Sequence, residues 1–103
     1  MTIYIDIPKS TIVQILKDLK EKELGGALNT LWWFFNEASK IPTENLSIKG
    51  DPEVIAEDLG LSKVIVYKHI KKLKELNYIK QLDPKKHLYN LNSSMFSRRY
   101  FFG

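Results

Sequence analysis

The feature that most constrains this chain is a break, Leu59-Gly60-Leu61-Ser62, set between two runs that each carry helical periodicity. Asp51-Pro52-Glu53 opens the first run. It supplies a cap acceptor, then a proline where its missing N–H does no harm, then an acid facing the helix dipole. Ser62 is a natural cap for the second run, in which Val66, Ile70, Leu73 and Asn77 recur on one side and Asn77 marks the end. Two short helices that pack at a steep angle need a small residue where they cross and a turn residue tolerant of positive φ. Ala56 and Gly60, four apart, meet those needs, and Val54 or Ile55, with Leu59 and Leu61, provides the apolar side.

This is the pattern of a helix-turn-helix, and the segment after it reads as a hairpin. Two strands, 78–82 and 87–91, flank Asp83-Pro84-Lys85-Lys86, where Pro84 suits the second position of a type I turn. Opposite the core line of the second helix stand Val64, Lys68, Lys71 and Glu75, flanked by Tyr67 and Lys72. A lysine face beside a tyrosine suits contact with phosphates and base edges. Ser62 and Lys63 would meet the backbone at the helix start, and Lys85 and Lys86 would reach the adjacent minor groove or backbone from the hairpin. Val64 stands where many DNA readers carry a polar side chain. It suits contact with thymine methyl groups, and it equally suits a protein-binding face or nonspecific groove contact through lysine.

Charge distribution agrees with a polyanion partner. Residues 1–61 hold six lysines against ten acids, net −4, whereas residues 62–103 hold eight lysines and two arginines against Glu75 and Asp83, net +8. Lysines gain free energy by displacing condensed counterions from nucleic acid. With 103 residues, 44% of them apolar, the chain suits one small domain with one core. There is no cysteine, so disulfides and thiolate metal sites are excluded. The first residues lack the pattern of a signal peptide, and no stretch approaches the roughly 18 apolar residues of a membrane span. A soluble cytoplasmic protein with no membrane partner is expected.

Upstream, Ile3, Ile5 and Ile7 alternate with Tyr4 and Asp6, a short strand expected to pair with the hairpin or with residues near Ile48. Ser10 is placed as the cap of a helix over 11–22, with Ile12, Ile15, Leu16 and Leu19 on one face, closed by Leu24-Gly25-Gly26. A second helix follows over 27–40. Leu28, Leu31, Trp32, Phe35 and Ala38 make its expected buried stripe, and Trp33 and Phe34 fall outside it. Such a helix is either central and wrapped by others or a partner surface, with an aromatic ligand pocket a distant third. Residues 41–45 read as a loop and 46–48 as a short strand. The terminal segment from Ser93 carries Phe96, Tyr100, Phe101 and Phe102, too apolar to stand exposed. It folds back on the aromatic helix, or meets a second chain, or belongs to a longer protein. Trp33, Phe34, Phe96, Tyr100, Phe101 and Phe102 are therefore the candidates for a dimer interface, and Arg98 and Arg99 for phosphate contact.

Catalytic chemistry finds no footing. His69 and His87 lack a second ligand at metal spacing, and His69, at the margin of the core face, reads as a packing residue. Ser62 has no base around it, Gly25-Gly26 lacks a phosphate-cradling pattern, and no carboxylates pair in an apolar setting. No enzyme, cofactor or metal is expected.

The run from Val54 through Ala56, Gly60, Ser62 and Val66-Tyr67-Lys68-His69-Ile70 to Leu73 and Ile79 resembles the winged helix-turn-helix superfamily of bacterial regulators. The N-terminal strand ending Asp6-Ile7-Pro8, the helical pair, the motif and Leu88-Tyr89-Asn90-Leu91-Asn92 with Phe96 resemble more narrowly the plasmid replication proteins of Gram-positive bacteria, although Ser93 stands where those carry proline. The first resemblance implies a recognition helix and a wing. The second implies an initiator or accessory factor of a plasmid, phage or other mobile element. The expectation is thus a mainly helical α+β fold: strand and helix pair 1–40, helix-turn-helix 51–77, two-stranded wing 78–92 and aromatic tail 93–103. It would bind double-stranded DNA, usually as a homodimer on half-sites about 10–10.5 bp apart. A transcription regulator would use the same contacts and, like a replication factor, would meet a protein partner of its own machinery. A winged domain used only for protein interaction is the reading from another class.

Overall fold

The computed structural model describes residues 2–20, 26–41 and 47–101, the side chain of Lys20 excepted. In chain order they form β1 (Thr2–Asp6), α1 (Lys9–Lys20), α2 (Ala27–Ala38), β2 (Ile48–Lys49), α3 (Pro52–Leu59), α4 (Lys63–Glu75), β3 (Ile79–Asp83), β4 (Leu88–Leu91), a single 3-10 turn at Ser93–Met95 and β5 (Ser97–Phe101). This is a small α+β domain in which two separate antiparallel sheets accompany the helices. The expected helix end at Leu24 and Gly25, the loop residues 42–45, Leu46 and Phe102 lie outside the described residues.

A helix apolar on most of its circumference has to be surrounded, and α2 is: α1, α3, α4 and β2 all pack against it. Phe34 is 0% exposed and Trp33 8%, while Trp32 is 42% exposed. The expected stripe is therefore rotated, and Trp33 and Phe34 belong to the core, not to a dimer surface. The cause lies in the small residues of the helix. Ala27 and Thr30 are fully buried and let α4 approach, so His69 Nδ1 meets Thr30 Oγ1 at 2.8 Å. A stripe phased on the largest side chains misses that contact. Phe34 then lies edge-on to Tyr89 of β4 at 5.6 Å between ring centroids. A Cβ added at Gly50 would lie 2.8 Å from Phe34 Cζ, so only glycine lets the chain after β2 pass this ring.

The capped turns form as the sequence indicates. Asp51 Oδ1 accepts from Glu53 N–H at 2.9 Å, and Ser62 Oγ accepts from Ile65 N–H at 3.2 Å. Between them Gly60 takes φ +65°, and Leu61 N–H reaches Ala56 O at 2.9 Å. α4 ends the same way: Asn77 takes φ +61°, and Tyr78 N–H donates to Leu73 O at 3.0 Å. Ile55, not Val54, is buried in α3, together with Pro52 and Ala56. Val66, Ile70 and Leu73 form the inner side of α4.

β2, β4 and β3 lie in that order, with Ile48 opposite Tyr89 and Ile79 opposite Leu91. A register shift between Gln81 and Asp83 turns Leu82 outward. In the turn, Asp83 Oδ1 accepts from Lys85 N–H at 3.0 Å and Lys86 N–H at 3.3 Å, an Asx turn closed by His87 at φ +53°.

The N-terminal region departs from expectation in three ways. α1 begins at Lys9, with Ile12 N–H on Pro8 O at 3.0 Å, so Ser10 lies inside the helix rather than capping it. Ile15 and Leu19 face the core, but Leu16 is exposed. β1 pairs neither with the hairpin nor with Ile48. It pairs with β5, from Thr2↔Phe101 to Asp6↔Ser97. β2 has only two residues and offers β1 no partner of matching length, whereas the tail alternates Arg98 and Tyr100 with Arg99 and Phe101 at the period of a strand.

Candidate nucleic-acid interface

Whether α4 can meet a polyanion depends on which of its lysines the protein itself uses. Lys63 Nζ donates to Glu53 Oε1 at 2.8 Å, and this hydrogen bond and the charge behind it push the ammonium pKa up. Lys72 Nζ lies 4.0 Å from Glu75 Oε2 one turn on. Lys74 Nζ donates to Gln81 Oε1 at 3.1 Å, fastening the helix to β3. Lys68 and Lys71 are exposed and make no side-chain hydrogen bond or ion pair among the described residues. Lys85 and Lys86 sit exposed at the hairpin tip, their ammonium groups equally without partners among the described residues.

Between the free lysines the surface is apolar. Val64 is 65% exposed, and Ile65 and Tyr67 stand out beside it. Ser62 is exposed at the helix start, its hydroxyl occupied by the cap. The fold therefore gathers Val64, Tyr67, Lys68, Lys71 and the flank of Lys72 onto one open face. It leaves Lys63 tied to α3 and sets Lys85 and Lys86 apart on the hairpin.

One basic residue joins this set without having been singled out in the sequence. Lys49 of β2 lines the same hollow of about 430 Å³ as Asp51, Lys85, Lys86 and His87. Gly50 N–H on His87 O at 2.8 Å holds the two segments together. No local signal links residues so far apart in the chain; only the β2–β4 pairing does.

The tail arginines are already engaged. Arg98 Nη1 donates to Ile41 O at 2.6 Å. Arg99 holds Asp6 through two hydrogen bonds, the Nη2–Oδ1 one at 3.1 Å, which raise the guanidinium pKa further. Both guanidiniums are thereby committed to protein oxygens rather than offered to phosphate. Phe96 is half-buried, edge-on to Phe35 at 5.5 Å, so the start of the tail folds back on α2. Tyr100 is half-buried in β5, and Phe101 stays exposed against Tyr4 at 5.1 Å.

The remaining ionisable groups are structural. Burial pushes the His69 pKa down, consistent with a neutral ring at Thr30. Tyr78 O–H donates to Asp18 of α1, and burial together with that carboxylate drives the phenol pKa far up. Among the described residues no three His, Cys, Asp or Glu side chains cluster at metal-binding distance. No helix among them is long and apolar enough to cross a membrane. No protein-family model matches the chain, and no curated protein or solved structure matches it at significant similarity.

Proposed function

We propose that the chain is a winged helix-turn-helix protein that binds double-stranded DNA, with α4 in the major groove and the β3–β4 hairpin as the wing. The observation that carries the reading is the division of labour among lysines. Lys63 and Lys74 donate to oxygen acceptors within the protein and Lys72 lies in loose ion-pair range of Glu75, while Lys68, Lys71, Lys85 and Lys86 have no such partner among the described residues. Free ammonium groups on one helix face and at a hairpin tip suit phosphates on either side of a groove. The strand order β2-β4-β3 behind α3 and α4 supports the same arrangement. Val64 and Tyr67 would meet base edges, with the valine against thymine methyl groups.

The biological setting we assign is replication of a plasmid, phage or other mobile element, on the resemblance of the N-terminal strand and the motif. Transcription control would use the same contacts, and the position of the bound site in its genome separates the two.

The test is a salt titration of duplex binding. Affinity should fall linearly on logarithmic axes, and Lys68→Ala with Lys71→Ala should flatten the slope by about two, at roughly 0.9 per phosphate contact. Thermal stability should stay nearly unchanged, because both side chains are exposed. Absence of duplex binding at low salt would overturn the reading in favour of a protein-interaction module. An unaltered slope in the double variant would place the contact on another face.

A further inference from the structure

Among the described residues the two sheets present four outer strand edges, and three carry devices that discourage pairing with another chain. β2 has only two residues. β3 is interrupted by the register shift at Gln81/Asp83 and carries Lys80. β5 carries Arg98 and Arg99 side by side. β1 alone is bare. Its residues Thr2-Ile3-Tyr4-Ile5-Asp6 include no lysine, arginine or proline, and its pairing with β5 runs without a bulge. Apart from that pairing, no backbone hydrogen bond reaches it among the described residues.

We propose that the free edge of β1 is the homodimer interface, pairing antiparallel with β1 of a second copy about a two-fold axis at Tyr4. The segment is self-complementary about that residue. Ile3 comes opposite the partner's Ile5, Tyr4 opposite its own copy, and Thr2 opposite the partner's Asp6, a hydroxyl donor facing a carboxylate. Ile3 and Ile5 are half-buried on the inner side of the ribbon, so the pairing extends an apolar strip across the axis. Charge selects this edge over the other. Pairing through β5 about Arg99 would set the arginines of both copies along one seam, whereas pairing through β1 keeps them on the two outermost strands. The resulting order β5-β1-β1-β5 turns two marginal ribbons into one four-stranded sheet. The interface so placed is distant in sequence from α4 and does not rest on the DNA reading.

The chain has no cysteine, so single introduced thiols report the register directly. Directly opposed residues of antiparallel strands lie about 4.5–5.5 Å apart at Cα, within disulfide reach. Tyr4→Cys should therefore give a covalent dimer on mild oxidation. Phe101→Cys should not, because its copies would sit three strand spacings apart across the sheet, about 14 Å, and four residues, about 13 Å, apart along the strands. Light scattering should give the mass of two chains for the unaltered protein. Tyr4→Lys, which sets two ammonium groups on the axis, should give the mass of one, with an unchanged circular dichroism spectrum. A monomer from low to high micromolar concentration would overturn the proposal. So would a dimer in which Phe101→Cys cross-links as readily as Tyr4→Cys, or one that survives Tyr4→Lys. None of these outcomes bears on whether α4 binds DNA.

Discussion

The β2-β4-β3 sheet sends Ile48, Ile79, Tyr89 and Leu91 into the core, whereas no residue of the β1–β5 ribbon is fully buried. The first sheet is stabilised by what lies beneath it: Phe34 against Tyr89, and α4 feeding directly into β3. Among the described residues the ribbon adds to its own pairing only Ile5 against the margin of the core and Arg98 on Ile41 O. Tyr4 meets Phe101 edge-on, Arg99 lies over both rings, and Asp6 holds the guanidinium. Two sheets of similar chemistry thus depend on different things. One is part of the cooperative unit that carries α4, and the other is a local structure with an open edge.

The largest expected effect separates them at once. Phe34 is fully buried between α2 and the three-stranded sheet, so Phe34→Ala should cost about 3–5 kcal/mol in urea denaturation. That is a large share of the roughly 5–15 kcal/mol typical of such domains. Amide exchange in β3 and β4 should accelerate by a matching factor. If β4 kept its protection in this variant, the sheet would not depend on the core as argued.

A second effect acts on the body through His69. Burial holds this imidazole's pKa below its ordinary 6.5, because its ring lies between α2 and α4 with Thr30 on Nδ1. The unfolded chain therefore binds the proton more readily than the folded one. Stability is full above about pH 6.5 and declines as pH falls below it toward the folded-state pKa. Denaturation at pH 7.5 and 5.5 should show the loss, and His69→Gln should reduce the difference. An equal pH dependence in that variant would assign the effect to other groups.

Legibility in the sequence follows the range of the interaction. The turns bounding α3 and α4 were readable because Asp51, Gly60, Ser62 and Asn77 act on backbone groups within a few residues, and each of them adopts the conformation its type favours. The outer face of α4 was readable for the same reason, since helical period alone turns Val64, Lys68 and Lys71 away from Val66, Ile70 and Leu73. What periodicity alone did not settle was the phase of α2. Thr30 is buried because a histidine 39 positions away needs its hydroxyl, and apolar periodicity carries no trace of such a partner. The pairing of β1 with β5, and the placing of Lys49 beside Lys85 and Lys86, are long-range in the same sense. Lysine pairing belongs here too: Lys63 and Lys68 look alike in the sequence, and only the fold brings Glu53 to one of them.

The smallest effect is the one most specific to the ribbon. Phe101 is half exposed and touches Tyr4 across the strand pair, and a cross-strand contact of this kind contributes about 0.2–1 kcal/mol. Phe101→Ala should therefore leave the global denaturation midpoint almost unmoved. Its effect should appear instead in the amide exchange of Ile3, Ile5 and Tyr100, which report the ribbon opening while the body stays folded. On the proposed DNA reading, duplex affinity should be unchanged in this variant, since no side chain of the ribbon belongs to the exposed lysine face of α4. A fall in the global midpoint comparable to that of Phe34→Ala would mean that the ribbon is bound into the same cooperative unit as the three-stranded sheet. In that case the β1 edge would be part of the folding core rather than a separable surface. Faster exchange confined to the ribbon would place its opening below global unfolding in free energy, as expected for two strands that contribute only half-buried side chains to the core.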